Sequence, residues 1–518
     1  NLATNTAQRV MGISASKPSD EELSKLKEDI DACCREVADA IKRADALLLC
    51  AGAGFSADSG LPTYEEIANV KVYQDLGLKY DDICRPEWMT HDPEVFYGFW
   101  GSCFNDYRDT QPHEGYNIIR GWRDARADTR VSQSIRIALA EEMKAVNSIP
   151  SAQRQPEPYQ VDGNAGSFFV YTSNVDAHCH DYFEPYEVRE CHGNTEIWQC
   201  GASPPCCKRT WRAPLDFKFA VNKQTMRAPQ KTSSLTAKEI PGTHAVHRPF
   251  GPRKTPLAKL PTETRPEVIA HIDQSFKRDE NWPICPWCKS LARPHVLMFN
   301  DAHMASDMEQ ELRFQRWREV LIDAGRQYRL SRGKLLRVVI LEIGCGGRVP
   351  TVRATSETTA AQLKKNAEVT VARINRDFPL PDRLHPLAND TRYLCLPMKG
   401  LEALRKISEH YTELMKPKPV GERRAAKASA KATAKERLNR SRSRDAEISA
   451  APALASTVDV QKPQESKEPK RTAKPPKRRA KPKSLPDSPV VESTRNRTPS
   501  RPMAARQRRP LSGIKTLD

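Results

Sequence analysis

Ala46-Leu-Leu-Leu-Cys-Ala51, running directly into Gly52-Ala-Gly-Phe-Ser-Ala-Asp-Ser-Gly-Leu-Pro62, is the stretch that decides the fold. Its first six residues are apolar without alternation, the pattern of a strand covered on both faces in a parallel sheet. The glycines that follow permit a tight turn and let backbone amides approach a phosphate closely. A strand, a glycine-rich turn and then a helix form the opening unit of a dinucleotide-binding α/β sheet, where the helix N-terminus favours a pyrophosphate.

Working outward, residues 21–43 read as one amphipathic helix, with Leu23, Leu26, Ile30, Val37 and Ile41 at helical spacing. Four more apolar runs fit further strands of the same sheet: Ser167-Phe-Phe-Val-Tyr171, Val296-Leu-Met-Phe299, Leu336-Arg-Val-Val-Ile-Leu-Glu-Ile343 and Val369-Thr-Val-Ala-Arg-Ile374. Loop-forming residues follow each run, and ligands of open parallel sheets bind at those carboxyl ends. Segment 75–125 is aromatic-rich and reads as mostly helical. Segment 208–281, rich in Pro, Lys and Thr, reads as an insertion with weak periodicity, and 401–414 as a closing helix. No internal repeat is present.

The 518 residues have a mean hydropathy of −0.67 and 40 prolines, so part of the chain is expected not to pack. The net charge of +18 is concentrated: 28 of the 83 basic and 10 of the 65 acidic residues lie in 416–518, leaving 55 of each elsewhere. No Phe, Trp, Tyr or Cys follows Tyr411. Such a segment cannot bury enough apolar surface to offset its conformational entropy, so a disordered basic tail is expected there. All 14 cysteines precede it, in a chain too large to need disulfide staples, which points to a metal site. No run is long enough to span a bilayer and no secretory signal is visible, so no membrane partner is expected.

Five segments carry chemistry. The first is the glycine-rich turn itself. The second is Tyr171-Thr-Ser-Asn-Val-Asp176, where an amide and a carboxylate stand at a strand end, a place where Asn and Asp also commonly form turns. The third is Glu190-Cys-His-Gly193. A lone histidine is more often structural than catalytic, but the His192 imidazole, with an ordinary pKa near 6.5, can take up a proton near neutral pH. The fourth is Cys285-Pro-Trp-Cys288, with Cys200 and either Cys206 or Cys207 upstream, a set able to hold a structural zinc. The fifth is Arg293-Pro-His-Val-Leu-Met-Phe-Asn-Asp301. Gly344-Cys-Gly-Gly-Arg348 and Arg373-Ile-Asn-Arg-Asp377 follow at two further strand ends.

In their order along 46–415 these segments resemble those of the sirtuin family, which carries G-A-G-x-S and S-G-[IL]-P, T-Q-N-[IV]-D, H-G, paired C-x-x-C motifs, R-P-x-V-V-x-F-G-E and I-N-x-E. The resemblance implies a Rossmann-like α/β catalytic domain over 21–415, with a zinc module at about 194–292 containing the 208–281 insertion. A polar leader (1–20) precedes it and the tail (416–518) follows. It implies NAD contacts from Gly52, Ala53, Gly54, Ser56, Ser59, Gly60, Pro62, Tyr64, Ser173, Asn174, Asp176, Gly344, Cys345 and Asn375. Asn174 and Asp176 would line the nicotinamide pocket beside the base His192. Cys200, Cys206, Cys285 and Cys288 would hold zinc. Val296 and Leu297 would pair with an acyl-lysine peptide, and Phe299 would wall its tunnel.

The implied activity is NAD-dependent protein-lysine deacylation, releasing nicotinamide and O-acyl-ADP-ribose. Glu65, Ser173, Cys345 and Asn300 depart from the family's residues at their positions. They leave room for an ADP-ribosyltransferase, an NAD glycohydrolase or a weakened NAD-binding scaffold. Lys474-Pro-Pro-Lys-Arg-Arg-Ala-Lys-Pro-Lys483 reads as a nuclear-localisation patch or a non-specific nucleic-acid contact. A nuclear location is the expectation and a cytoplasmic one the alternative.

Overall fold

β1 (Ala46–Ala51) is buried along its whole length, as its unbroken apolar run requires. It sits inside a six-stranded sheet with β2 (Phe168–Thr172), β3 (Val188–Glu190), β7 (Leu336–Ile343), β8 (Ala367–Ile374) and β9 (Arg392–Leu396). The order is β3-β2-β1-β7-β8-β9 and every pairing is parallel. In the computed structural model the described residues are 17–63, 66, 70–75, 77–147, 166–222, 224–236, 269–270, 272, 274–305, 308–382 and 391–417. Most of the expected leader, Tyr64, Glu65, the middle of the expected insertion and the basic tail lie outside them.

The longer helices are α1 (Asp20–Glu28), α2 (Ile30–Arg43), α3 (Pro93–Asp109), α4 (Gly115–Ala127), α5 (Arg130–Asn147), α6 (Met308–Arg332), α7 (Thr351–Leu363) and α8 (Gly400–Met415); all but α3, which packs in a separate aromatic core, cover the two faces of this sheet. Alternation along β1 divides the core. Leu47 and Leu49 pack with Val37 and Ile41 of α2, Trp122 of α4 and Leu404 of α8. Leu48 and Cys50 pack with Phe314 and Trp317 of α6 and Val352 of α7. Each large apolar side chain so buried contributes about 1.5–3 kcal/mol. No described helix is long and apolar enough to cross a membrane.

Three remaining strands, β4 (Gly193–Cys200), β5 (Thr210–Arg212) and β6 (Ala292–Val296), form a separate antiparallel sheet in the order β5-β4-β6. Its core is aromatic: Phe104 of α3, Trp198, Phe217, Phe219 and Phe276. Trp198 stacks on Phe219 at 5.8 Å and meets Phe276 edge-on at 5.4 Å. Arg108 of α3 forms a buried bidentate pair with Glu196 of β4 at 2.7 Å. The same guanidinium donates to the carbonyls of Pro214, Leu215 and Phe217.

The structure corrects the sequence reading in three places. The run at 296–299 is not a strand of the parallel sheet. β6 ends at Val296 and pairs with β4 instead, a choice that apolar periodicity cannot make. The helix expected over 21–43 is two helices, broken at Asp29. Strands β3 and β9 went unseen, since a three-residue strand and a polar-edged one leave little pattern. The described parts of 208–281 contribute β5 and core aromatics, so they belong to the small sheet's core.

Removing Arg108 leaves the Glu196 carboxylate buried without its partner. Arg108→Ala is therefore expected to destabilise the fold by about 3–5 kcal/mol in urea denaturation.

Candidate functional site

The chain leaves β1 toward β2 on one side and returns to β7 on the other, so a topological switch point lies between β1 and β7. The turns leaving these two strands press together. Gly52 N–H donates to Ile343 O at 3.0 Å and Gly54 N–H to Gly344 O at 3.0 Å. A Cβ on Gly52 would lie 2.7 Å from Gly344 O, and one on Gly54 2.8 Å from Gly344 Cα. Gly344 itself has φ +67. The motif's glycines thus serve contact between two protein loops, and the Gly52 and Gly54 amides are already engaged there. Ala53, Gly60 and Pro62 are half-buried along the same segment.

The end of β2 meets this turn. Asn174 Nδ2 donates to Ser56 Oγ at 2.8 Å, and Ser56 Oγ donates to Asp176 Oδ2 at 2.5 Å. Asp176 Oδ1 accepts the His178 amide at 2.9 Å, with Ala177 between them in the left-handed region. Thr172 Oγ1 holds the Asn174 amide at 3.0 Å, and the Ser173 amide donates to Ala51 O. Ser173, Asn174 and Asp176 are all buried. The Asn174 Oδ1 atom is buried with no hydrogen-bond partner among the described residues. Leaving such an acceptor unsatisfied costs about 1–3 kcal/mol, so this oxygen is open to a donor from a water or a ligand. A carboxamide N–H fits that atom.

Two residues of this site escaped the sequence reading. Tyr116 of α4 is buried, its ring 4.4 Å from that of Phe55 in the glycine turn. His113 joins the glycine turn to the start of α4: its ring contacts Phe55 O at 2.8 Å, and its Nδ1 accepts the Gly115 amide at 3.0 Å. Because Nδ1 accepts, Nε2 carries the proton and the ring is neutral. Burial pushes its pKa down to about 4. Its backbone amide donates to Ser59 Oγ, so Ser59 faces this support. A lone Pro-His-x-Gly stretch carries no pattern that could have flagged either residue.

His192 stands on the two-residue connection between β3 and β4, where the chain passes from the parallel to the antiparallel sheet. It is half-buried, and its carbonyl accepts the Leu297 amide at 2.9 Å. Burial pushes the imidazole pKa down to about 4, with the Arg189 cation adding to the effect. The ring is therefore neutral, and able to accept a proton, throughout the physiological range.

The remaining candidates face the protein more than the cleft. Cys345 is buried and its thiol donates to Cys50 O and Ile343 O. The Asn375 amide donates to Cys345 O at 2.8 Å and accepts the Asp377 and Phe378 amides at 2.9 Å, so both ends hold loops. Val296 is buried in β6, Leu297 is exposed, and Phe299 meets Tyr80 edge-on at 5.9 Å. The Leu297, Met298 and Phe299 amides donate to His192 O, Asp301 Oδ2 and Cys84 O.

At the far end of the small sheet, Cys200, Cys206, Cys285 and Cys288 place their sulfurs within 4.8 Å of one another. Neighbouring Sγ atoms are 3.5, 3.7 and 3.8 Å apart. Four thiolates around a zinc, at about 2.3 Å from the metal, fit this spacing. The structure selects Cys206 over Cys207, which packs against the aromatic core. Cys206→Ser should remove bound zinc and much of the stability, while Cys207→Ser should keep one zinc per chain in metal analysis.

No protein-family model matches the chain, and no curated protein matches it. Among solved structures, one titled "Crystal structure of a Sir2 homolog-NAD complex" is similar over 74% of this chain and 94% of that one, at 14% identity and a TM-score of 0.35.

Proposed function

We propose that this chain is an NAD-dependent protein-lysine deacylase with a structural zinc in its small sheet. One observation carries the reading: a buried, unpartnered amide oxygen on Asn174, fixed beside Ser56 and Asp176 at the switch point of a parallel sheet. NAD would supply the electrophilic ribose carbon and the nicotinamide leaving group. Asn174 Oδ1 would accept from its carboxamide, and Ser56 fixes the Asn174 rotamer. His192, neutral above about pH 4, would take the proton from a ribose hydroxyl.

A second reading is favoured by the committed amides at 297–299. An added peptide strand needs free N–H groups along its edge, and a transferase or glycohydrolase acting on NAD does not. The tail, with 28 Lys plus Arg in 416–518, supports sequence-tolerant contact with polyanions and a nuclear location.

Incubation with NAD and a panel of acyl-lysine peptides, read by mass, tests the choice. O-acyl-ADP-ribose with deacylated peptide supports the first reading. Free ADP-ribose or labelled protein alone supports the second. His192→Ala should lower peptide turnover by about 10²–10⁴-fold while NAD still binds. The acid limb of kcat/KM should fall near pH 4, since activity is lost as the base is protonated. A limb near the ordinary 6.5 would show instead that burial does not depress this imidazole in solution.

A further inference from the structure

Residues 190 and 194 bracket His192 on either side, and both are buried. Asn194 Nδ2 donates to Glu190 Oε2 at 2.5 Å, closing a loop whose middle residue is His192. The same carboxylate oxygen lies 3.1 Å from Nε2 of His180, itself buried. The Glu190 amide donates to Gln310 Oε1 at 2.8 Å, which anchors that end to α6.

Asn194 also holds the other half of the site. Its Oδ1 accepts the Glu196 amide at 3.0 Å and the Ile197 amide at 3.1 Å. These bonds form the irregularity by which β4 shifts register against β6 between Asn194 and Trp198. Thr195, inside that bulge, donates its amide to Val175 O at 3.0 Å and its hydroxyl at 3.3 Å. Val175 lies between Asn174 and Asp176. Gly193 completes the turn with φ +71, and a Cβ there would lie 1.9 Å from His295 O. Bulges next to functional sites re-aim side chains in this way.

We propose that Glu190 and Asn194 are positioning residues for His192, and that the bond between them sets where the imidazole stands against the Asn174–Asp176 pocket. The proposal rests on the deacylase reading. Neither side chain is needed to touch substrate, since both act through the turn they hold. A displacement of about 1 Å at the reacting groups can cost about 10²-fold in rate.

The test uses the full chain with Asn194→Ala, Glu190→Ala and Glu190→Gln. The alanine variants should lose kcat by about 10- to 100-fold with KM for NAD little changed. Glu190→Gln keeps an acceptor oxygen for Asn194 Nδ2 and should retain most of kcat. A second readout needs no activity: the rate at which diethyl pyrocarbonate modifies His192, followed by peptide mass. It should rise in the alanine variants and stay at the wild-type value in Glu190→Gln. Should the alanine variants not fold, Asn194→Ser, too short to reach Glu190, is read the same way. Failure of the wild type to deacylate would remove the function proposed above, while the modification rates would still report on the turn. Alanine variants with wild-type kcat and modification rate, or a glutamine variant as impaired as alanine, would overturn the proposal.

Discussion

Gly54 and Gly344 meet backbone to backbone at the point where the parallel sheet reverses its strand order, and the cleft depends on that contact. With a side chain on either residue, the turns after β1 and β7 would have to separate. The β1 turn also carries Ser56, which holds Asn174 and Asp176 from the next strand. Moving the two glycines apart would therefore move the pocket floor. His113 braces the same turn from the α4 side through Phe55 O and Ser59 Oγ. Three elements distant in sequence converge on one stretch of six residues.

Buried charges fasten segments that apolar packing alone would leave free to slide. Arg108 holds Glu196 and three carbonyls of the loop after β5. Arg293 pairs with Asp301 and so fixes the chain just after β6. At the ends of β7 and β8, Arg353 is bidentate to Asp382 at 2.6 Å and also donates to Cys345 O, Phe378 O and Leu380 O. Arg373 joins Glu342 and Glu357 beside it. Such pairs add little net stability over apolar substitutes, but losing one partner strands a charge. Each one fixes the relative position of loops that border the cleft.

His192 stands where the two sheets exchange the chain. Its neutral, low-pKa ring follows from that location, since burial and the nearby Arg189 both disfavour a second positive charge. The committed amides at 297–299 follow from the same location, because that chain folds back on the His192 turn. The neutral base that the deacylase reading uses and the committed amides that tell against it therefore arise from a single junction.

Much of this was legible in the residues. The unbroken apolar run at Ala46–Ala51, the glycine turn after it and the runs at β2, β7 and β8 determine a parallel sheet, because burial on both faces leaves a local signature. Asn174, Asp176, His192 and the Cys285–Cys288 pair were visible because their chemistry is tied to strand ends or to short spacing. What tertiary structure alone decided involves partners far apart in sequence. The choice of Cys206 over Cys207 depends on sulfurs 79 and 88 residues apart coming within bonding range of one ion. Apolar periodicity could not assign 296–299, since it reports burial and not which sheet provides it. The inward turn of Cys345 and Asn375, and the bond from Asn194 to Glu190 across His192, depend on loop geometry that no local pattern encodes.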